Sequence, residues 1–223
     1  MSCLKIVISQ RVVDNKDYVD PRDALSQDWI VYLENLLPNC IIVPMPNRLR
    51  STIIWLNALR PDVVILSNGN DWGSSPHRDR SEEVLLDWAT EKNIPLLGVC
   101  RGLQAINFLA GGGIEKKLKD VTNLNHVASE HDVKIRQGAF MKLAGNDSLR
   151  VNSFHREGVT EASLAREFTQ FAIAQNGVVE GFFSNERAVL AIQWHPERAN
   201  PSKKFDAVLL RQFFNKGAFW NEL

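Results

Sequence analysis

The chain has 223 residues, with 26 basic and 26 acidic side chains and therefore no formal net charge. That length suits one sizeable α/β domain over residues 1–223 better than two small ones. The charge balance argues against nucleic-acid or membrane-surface binding as the main role. From the start, Leu4–Ser9 is apolar and β-rich and predicts a first strand, a segment with neither the length nor the cleavage site of a signal peptide. Leu25, Trp29, Tyr32, Leu33 and Leu36 recur at helical spacing and predict a helix over Ala24–Leu37. Cys40–Val43 reads as a second strand. Ser51 is placed to cap a helix over Thr52–Leu59, and Pro61 separates it from a strand over Asp62–Leu66. Ser81 is placed to cap a helix over Glu82–Lys92, which leads into the apolar run Ile94-Pro95-Leu96-Leu97. This alternation implies right-handed βαβ units and a parallel sheet covered on both faces.

Beyond Gly111-Gly112-Gly113 the pattern changes. Asp132–Arg136, Leu149–Phe154, Phe168–Gln175 and Val178–Phe183 read as shorter strands joined by polar turns, extending the sheet with antiparallel pieces. Val189–Trp194 returns to the core, and Asn200-Pro201 opens a last helix running to about Phe214. The expected fold class is α/β, an αβα sandwich around a central, mostly parallel sheet. Cys3, Cys40 and Cys100 make an odd count without a CxxC pair. A disulfide framework or metal site is therefore not expected, and a reducing cytoplasm is.

The chemistry concentrates where Gly98-Val99-Cys100-Arg101-Gly102 joins an apolar strand to the helical stretch Leu103–Leu109. A nucleophile on a sharp strand-to-helix turn is an elbow, and its glycines are needed because a side chain there would strike neighbouring backbone. Cys100 then sits at the positive end of a helix, which favours thiolate over thiol. A base follows in Gln193-Trp194-His195-Pro196-Glu197. In extended chain, residues two apart point to the same side, so Glu197 can orient the imidazole of His195. Cys100, His195 and Glu197 thus make a nucleophile, a base and an orienting acid.

These residues resemble the class I glutamine amidotransferase-like superfamily in Gly98–Gly102, Gln104 and His195-Pro196-Glu197. Cys100–Asn107 followed by Gly111-Gly112 looks like its γ-glutamyl hydrolase branch, peptidase family C26. Arg78-Asp79-Arg80-Ser81-Glu82 fits that branch's Arg-Asp-x-x-Glu, and Asn152-Ser153-Phe154-His155 its Asn-Ser-x-His. The resemblance implies a flavodoxin-like αβα fold and cleavage of a γ-glutamyl amide through a thioester on Cys100. It further implies oxyanion donors at the backbone N–H groups of Gly69 and Arg101, with Gln104 holding the amino-acid end of the glutamyl group. His155 is implied as a substrate contact, with a histidine satisfied by backbone as the alternative. No cofactor, metal or synthase partner is implied. The small size and the segment Arg22–Trp29 look like a bacterial branch that splits γ-glutamyl-CDP-amidate for capsular phosphoramidate synthesis. The alternatives are a γ-glutamyl-γ-aminobutyrate hydrolase and a glutaminase subunit that supplies ammonia to a synthase.

One departure is the loop Ser67-Asn68-Gly69, where the branch more often has Ser-Gly-Gly; Asn68 tolerates left-handed backbone better than most residues. Arg78, Asp79 and Glu82 read as a salt-linked anchor between loop and helix. His77, His126 and His131 lack ligand spacing and are expected at the surface. Trp55 and Trp88 are expected in the core and Trp72 in a pocket wall. Arg11, Arg22, Arg78 and Arg101 are the cations expected to meet any phosphate.

Overall fold

Strand β1 (Leu4–Ser9) turns Ile6 and Ile8 to one face and Val7 to the other, and all three are fully buried. A strand apolar on both sides requires a sheet covered on both faces. The computed structural model describes residues 3–15, 17–122 and 126–222. After β1, the strands β2 (Arg11–Val13) and β3 (Arg22–Ala24) pair as a small antiparallel sheet, so Ala24 bonds across to Arg11 instead of opening a helix. Helix α1 (Gln27–Leu36) starts later, capped by Ser26, whose Oγ accepts from the Asp28 N–H.

Then come β4 (Cys40–Met45), α2 (Leu49–Leu59), β5 (Val63–Leu66), α3 (Pro76–Lys92), β6 (Leu96–Val99) and α4 (Arg101–Leu109). Ser51 and Ser81 cap neither helix. Both lie inside, because α2 starts from Arg48 and α3 starts at Pro76. Proline at a first helical position has its φ pre-set and no N–H to leave unpaired. Trp55, expected in the core, is 41% exposed.

The second half holds α5 (Leu118–Thr122), β7 (Val127–Ile135), α6 (Gly138–Ala144), β8 (Ser148–Phe154), β9 (Val159–Thr160), β10 (Phe168–Ala174), β11 (Val178–Ser184), β12 (Val189–Ile192) and α7 (Lys203–Lys216). The sheet order is β4-β1-β5-β6-β12-β11-β10-β7-β8, with β9 on β11. The run from β4 to β12 is parallel, and everything beyond β12 is antiparallel, as expected from sequence. Ile6, Ile8, Trp29 and Leu33 pack with Leu209, Leu210 and Phe213 of α7 on one face. Val7, Leu56, Leu85, Leu103 and Ile106 form the core on the other. In such a sheet, sites form beyond the carboxyl ends of the strands. Here the adjacent ends of β5, β6 and β12 deliver Gly69, Cys100 and His195.

Candidate active site

Cys100 takes φ 55° and ψ −106°, a conformation that costs a non-glycine residue of order 1–3 kcal/mol. Its surroundings enforce that turn. A Cβ on Gly102 would fall 2.0 Å from the Leu66 carbonyl oxygen, and one on Gly98 would fall 2.8 Å from the backbone of Gly102. Both elbow glycines are therefore required by contact. Cys100 is 8% exposed at the N-terminus of α4. The N–H of Arg101 is among the first of that helix, which no intrahelical carbonyl reaches.

His195 is buried, and its Nδ1 lies 2.8 Å from Glu197 Oε1. A carboxylate there selects the Nδ1–H form and leaves Nε2 for the thiol. Burial alone would lower the imidazole pKa, but the charge of Cys100 and the charge and hydrogen bond of Glu197 outweigh it and raise the value to about 9. The imidazole and carboxylate are a hydrogen-bonded pair, and His195 Nε2 has no hydrogen-bond partner among the described residues. Phe154 packs edge-on against the imidazole, with ring centroids 5.4 Å apart.

Two further residues hold this group, and neither was assigned a role from sequence. Asn68 donates from Nδ2 to Glu197 Oε1 at 2.9 Å and lies 2.9 Å from His195 Nδ1. Trp29 Nε1 donates to Asn68 Oδ1 at 3.3 Å, which turns the amide nitrogen toward the carboxylate. The left-handed residue of this loop is Gly69, at φ 128°; Asn68 does not need the tolerance expected of it. Asn152 clamps the backbone of His195 from both sides, accepting from its N–H at 2.8 Å and donating to its carbonyl at 2.9 Å. The Asn-Ser-x-His motif therefore reaches His195 through its asparagine.

Asn68→Ala is expected to lower kcat by about 10-fold or more with KM little changed, as loss of a hydrogen bond to a charged group would. Asn68→Asp should be worse, because it sets a second negative charge beside Glu197. Steady-state kinetics on both variants test this, and a wild-type rate in Asn68→Ala would leave the amide without a positioning role.

The loop before the elbow is anchored as expected. Arg78 Nε pairs with Glu82 at 2.9 Å, and its Nη2 donates to the carbonyls of Ser67 and Asn68 at 2.8 and 2.9 Å. The Arg101 side chain pairs with Asp79 and Glu82 and lies over the Trp72 ring, 5.0 Å from its centroid. Burial lowers the pKa of Arg78 to about 10 and of Arg101 to about 9. Both guanidiniums are spent inside the protein, so they are not the phosphate contacts expected of them. Trp72, expected in a pocket wall, packs on the Arg101 guanidinium and against Phe108. Arg22 pairs with Asp20 at the surface.

Gln104 lies one turn beyond Cys100, with Nε2 donated to the Glu157 carbonyl at 2.8 Å and 3.3 Å from Gln193 Oε1. His155 is buried, with Nδ1 2.9 Å from the same carbonyl and Nε2 3.5 Å from Glu180 Oε1. Backbone thus meets its Nδ1, whereas its Nε2 has no hydrogen-bond partner among the described residues. His126 is buried and His131 half-buried, against the expected surface positions. A cavity of about 560 Å³ is lined by Lys116, Lys117, Lys119 and Arg156 together with His126 and His155. No described helix is long and apolar enough to cross a membrane.

A profile of peptidase C26 matches residues 67–197, from the Asn68 loop through the elbow to Glu197. The chain belongs to the peptidase C26 family. Within that family's wider circle, the γ-glutamyl-CDP-amidate hydrolase of Campylobacter jejuni is 27% identical over 94% of this chain and 97% of its own length. The γ-glutamyl-γ-aminobutyrate hydrolase PuuD of Escherichia coli is 27% identical over 66% of this chain, which spans only 63% of that enzyme. The crystal structure of a glutamine amidotransferase from Thermotoga maritima superimposes with a TM-score of 0.64 at 16% identity, covering 95% of this chain and 83% of the other. That last likeness is one of fold, an α/β sandwich of the class I glutamine amidotransferase type. Membership of the C26 family, whose relatives include γ-glutamyl amide hydrolases, supports hydrolase activity.

Proposed function

We propose that the chain is a free-standing cysteine hydrolase of the cytoplasm that cleaves γ-glutamyl-CDP-amidate to glutamate and cytidine diphosphoramidate. The observation that carries the chemistry is the grouping of an elbow cysteine, a buried imidazole and a carboxylate 2.8 Å from its Nδ1. The Cys100 thiolate attacks the γ-carbonyl carbon while His195 holds the thiol proton. The C–N bond breaks, and His195 passes that proton to the departing nitrogen. Water then adds to the thioester, giving its proton to His195, and glutamate leaves as the thiolate returns. The oxyanion of each step accepts from the N–H groups of Gly69 and Arg101, one such donor being worth about 10²–10³ in rate. Glu197 steadies the imidazolium throughout, held in turn by Asn68.

For the leaving group, the full-length likeness to the Campylobacter enzyme is one support. The cavity lined by Lys117, Lys119 and Arg156, with Asp120 and with Lys116 paired to Glu157, is the other, since it offers an excess of cations to a diphosphate. Lys116 Nζ contacts the Trp72 carbonyl at 3.2 Å, which ties this wall to the residue packed on Arg101. Binding a diphosphate there supplies energy remote from the scissile bond, which glutamine lacks.

The test is kcat/KM of the isolated chain for γ-glutamyl-CDP-amidate, γ-glutamyl-γ-aminobutyrate and glutamine. The nucleotide substrate should lead by about 100-fold or more, the worth of one or two charge-assisted contacts. The preference should shrink when Lys117 and Arg156 are neutralised. A lead for γ-glutamyl-γ-aminobutyrate keeps the chemistry and changes the substrate. Activity on glutamine alone, or only with a partner protein, makes the chain an amidotransferase subunit.

A further inference from the structure

Away from Cys100, four ionisable side chains converge inside the antiparallel half of the sheet. Glu180 of β11 is fully buried, and His131 Nε2, His155 Nε2 and His126 Nδ1 lie 3.2, 3.5 and 3.6 Å from its Oε1. Among the described residues these ion-pair contacts are the only close polar neighbours of the Glu180 carboxylate, and by hydrogen-bond geometry neither of its oxygens, neither ring nitrogen of His126 or His131, nor His155 Nε2 is satisfied. Buried polar atoms are normally satisfied, and so many orphans in one place require an explanation. The His155 contact with the Glu157 carbonyl sharpens the point. A carbonyl can only accept, so the hydrogen of a neutral imidazole sits on Nδ1 and the lone pair of Nε2 faces Glu180. Two acceptors facing each other in a buried site need either a proton or a metal ion between them.

We propose that His126, His131 and Glu180 bind a divalent transition-metal cation of the zinc class, with His155 flanking the carboxylate from outside that close group. In a tetrahedral site with ligands about 2.0–2.1 Å from the ion, ligand atoms stand about 3.3–3.4 Å apart. The distances from His131 and His126 to Glu180 bracket that spacing. Ligand atoms of His126, His131 and Glu180 all lie within 4.8 Å of one another. Imidazole nitrogens with one carboxylate suit zinc and its neighbours, whereas calcium and magnesium want oxygen. His155 Nδ1 is held by backbone, so its Nε2 stays turned toward Glu180 at the edge of the site. The ion also has a way in. His126 lines both the 560 Å³ cavity, with His155, and a second of about 290 Å³, with His131. Once bound, the metal would cross-link β11 to β7, strands separated in the sheet by β10. This site stands independently of any reading of Cys100.

The experiment uses the full chain, stripped with a chelator and titrated with Zn²⁺ alone, followed by elemental analysis and thermal unfolding. One zinc per chain and a raised Tm are expected. His131→Ala and Glu180→Gln should each weaken binding beyond the about 10–100-fold seen for lost outer supports. His131 is half-buried on β7, so its variant remains informative if loss of Glu180 prevents folding. Co²⁺ in place of zinc should give visible ligand-field bands without the near-ultraviolet charge-transfer band of a thiolate. A thiolate band would put the ion on one of the three cysteines, Cys3, Cys40 or Cys100, and overturn the site. So would zinc binding unchanged in His131→Ala, or no binding at all, which would leave the cluster held by a shared proton.

Discussion

Cys100→Ala should lose turnover by about 10⁴-fold or more while unfolding close to the wild-type temperature. The two halves of that expectation have separate physical grounds. The thiol is the only group at the elbow able to form the thioester, so nothing replaces it. It is also small and sits at a turn whose shape is fixed by Gly98 and Gly102, so its loss opens no sizeable cavity. Alanine keeps a Cβ and with it the strain of φ 55°. Cys100→Gly removes that strain and should unfold at or above the alanine variant's temperature while being equally inactive. Initial rates and thermal melts on the two variants decide it. Residual activity above a small fraction of wild type in Cys100→Ala would rule out covalent catalysis.

His195→Asn should cost nearly as much, and Glu197→Gln clearly less, because an orienting acid contributes less than the base it holds. The effects should not add, since the three groups act as one unit. Trapping the thioester in single-turnover experiments measures each step, and a wild-type rate in Glu197→Gln would remove that residue from the unit. The same interaction has a signature in stability. His195 binds its proton more tightly folded, at about 9, than unfolded, near 6.5. Its contribution is therefore complete below about pH 6.5 and lost as the pH climbs through about 9. Urea unfolding across that range should show the loss in wild type and a weaker one in Glu197→Gln.

Local signals in the chain account for what could be read directly. The alternation of apolar runs located the parallel strands, and the glycines flanking Cys100 announced the elbow because their constraint is confined to a few neighbouring residues. His195 and Glu197 were legible for the same reason, being two apart in the chain, although they lie in a turn beyond β12 and not in the extended chain expected. Asn68 was not. Its partners Trp29 and Glu197 come from α1 and from beyond β12, so only the assembled sheet shows why an asparagine stands there. The histidine cluster was hidden likewise, its members drawn from the start of β7, from β7 itself, from the end of β8 and from β11. Helix starts were misplaced where a serine looked like a cap but Pro76 or Arg48 set the boundary. Trp55 followed a helical stripe whose outer edge the fold leaves in solvent.

The pairing of β6 with β12 bears on how the molecule comes into being. Leu96 lies against Val189 and Val99 against Ile192, so the strand that carries Cys100 gains its second neighbour only from far along the chain. Contacts of such long sequence separation close slowly, since the loop entropy must be overcome before they form. A chain emerging from the ribosome would hold its thiol on a half-built sheet, with no imidazole to activate it, until the last third had been synthesised. Thiolate reactivity is thus the final property to mature. In refolding experiments, alkylation of Cys100 at the native rate should return with the slowest phase, after most helical signal has already recovered.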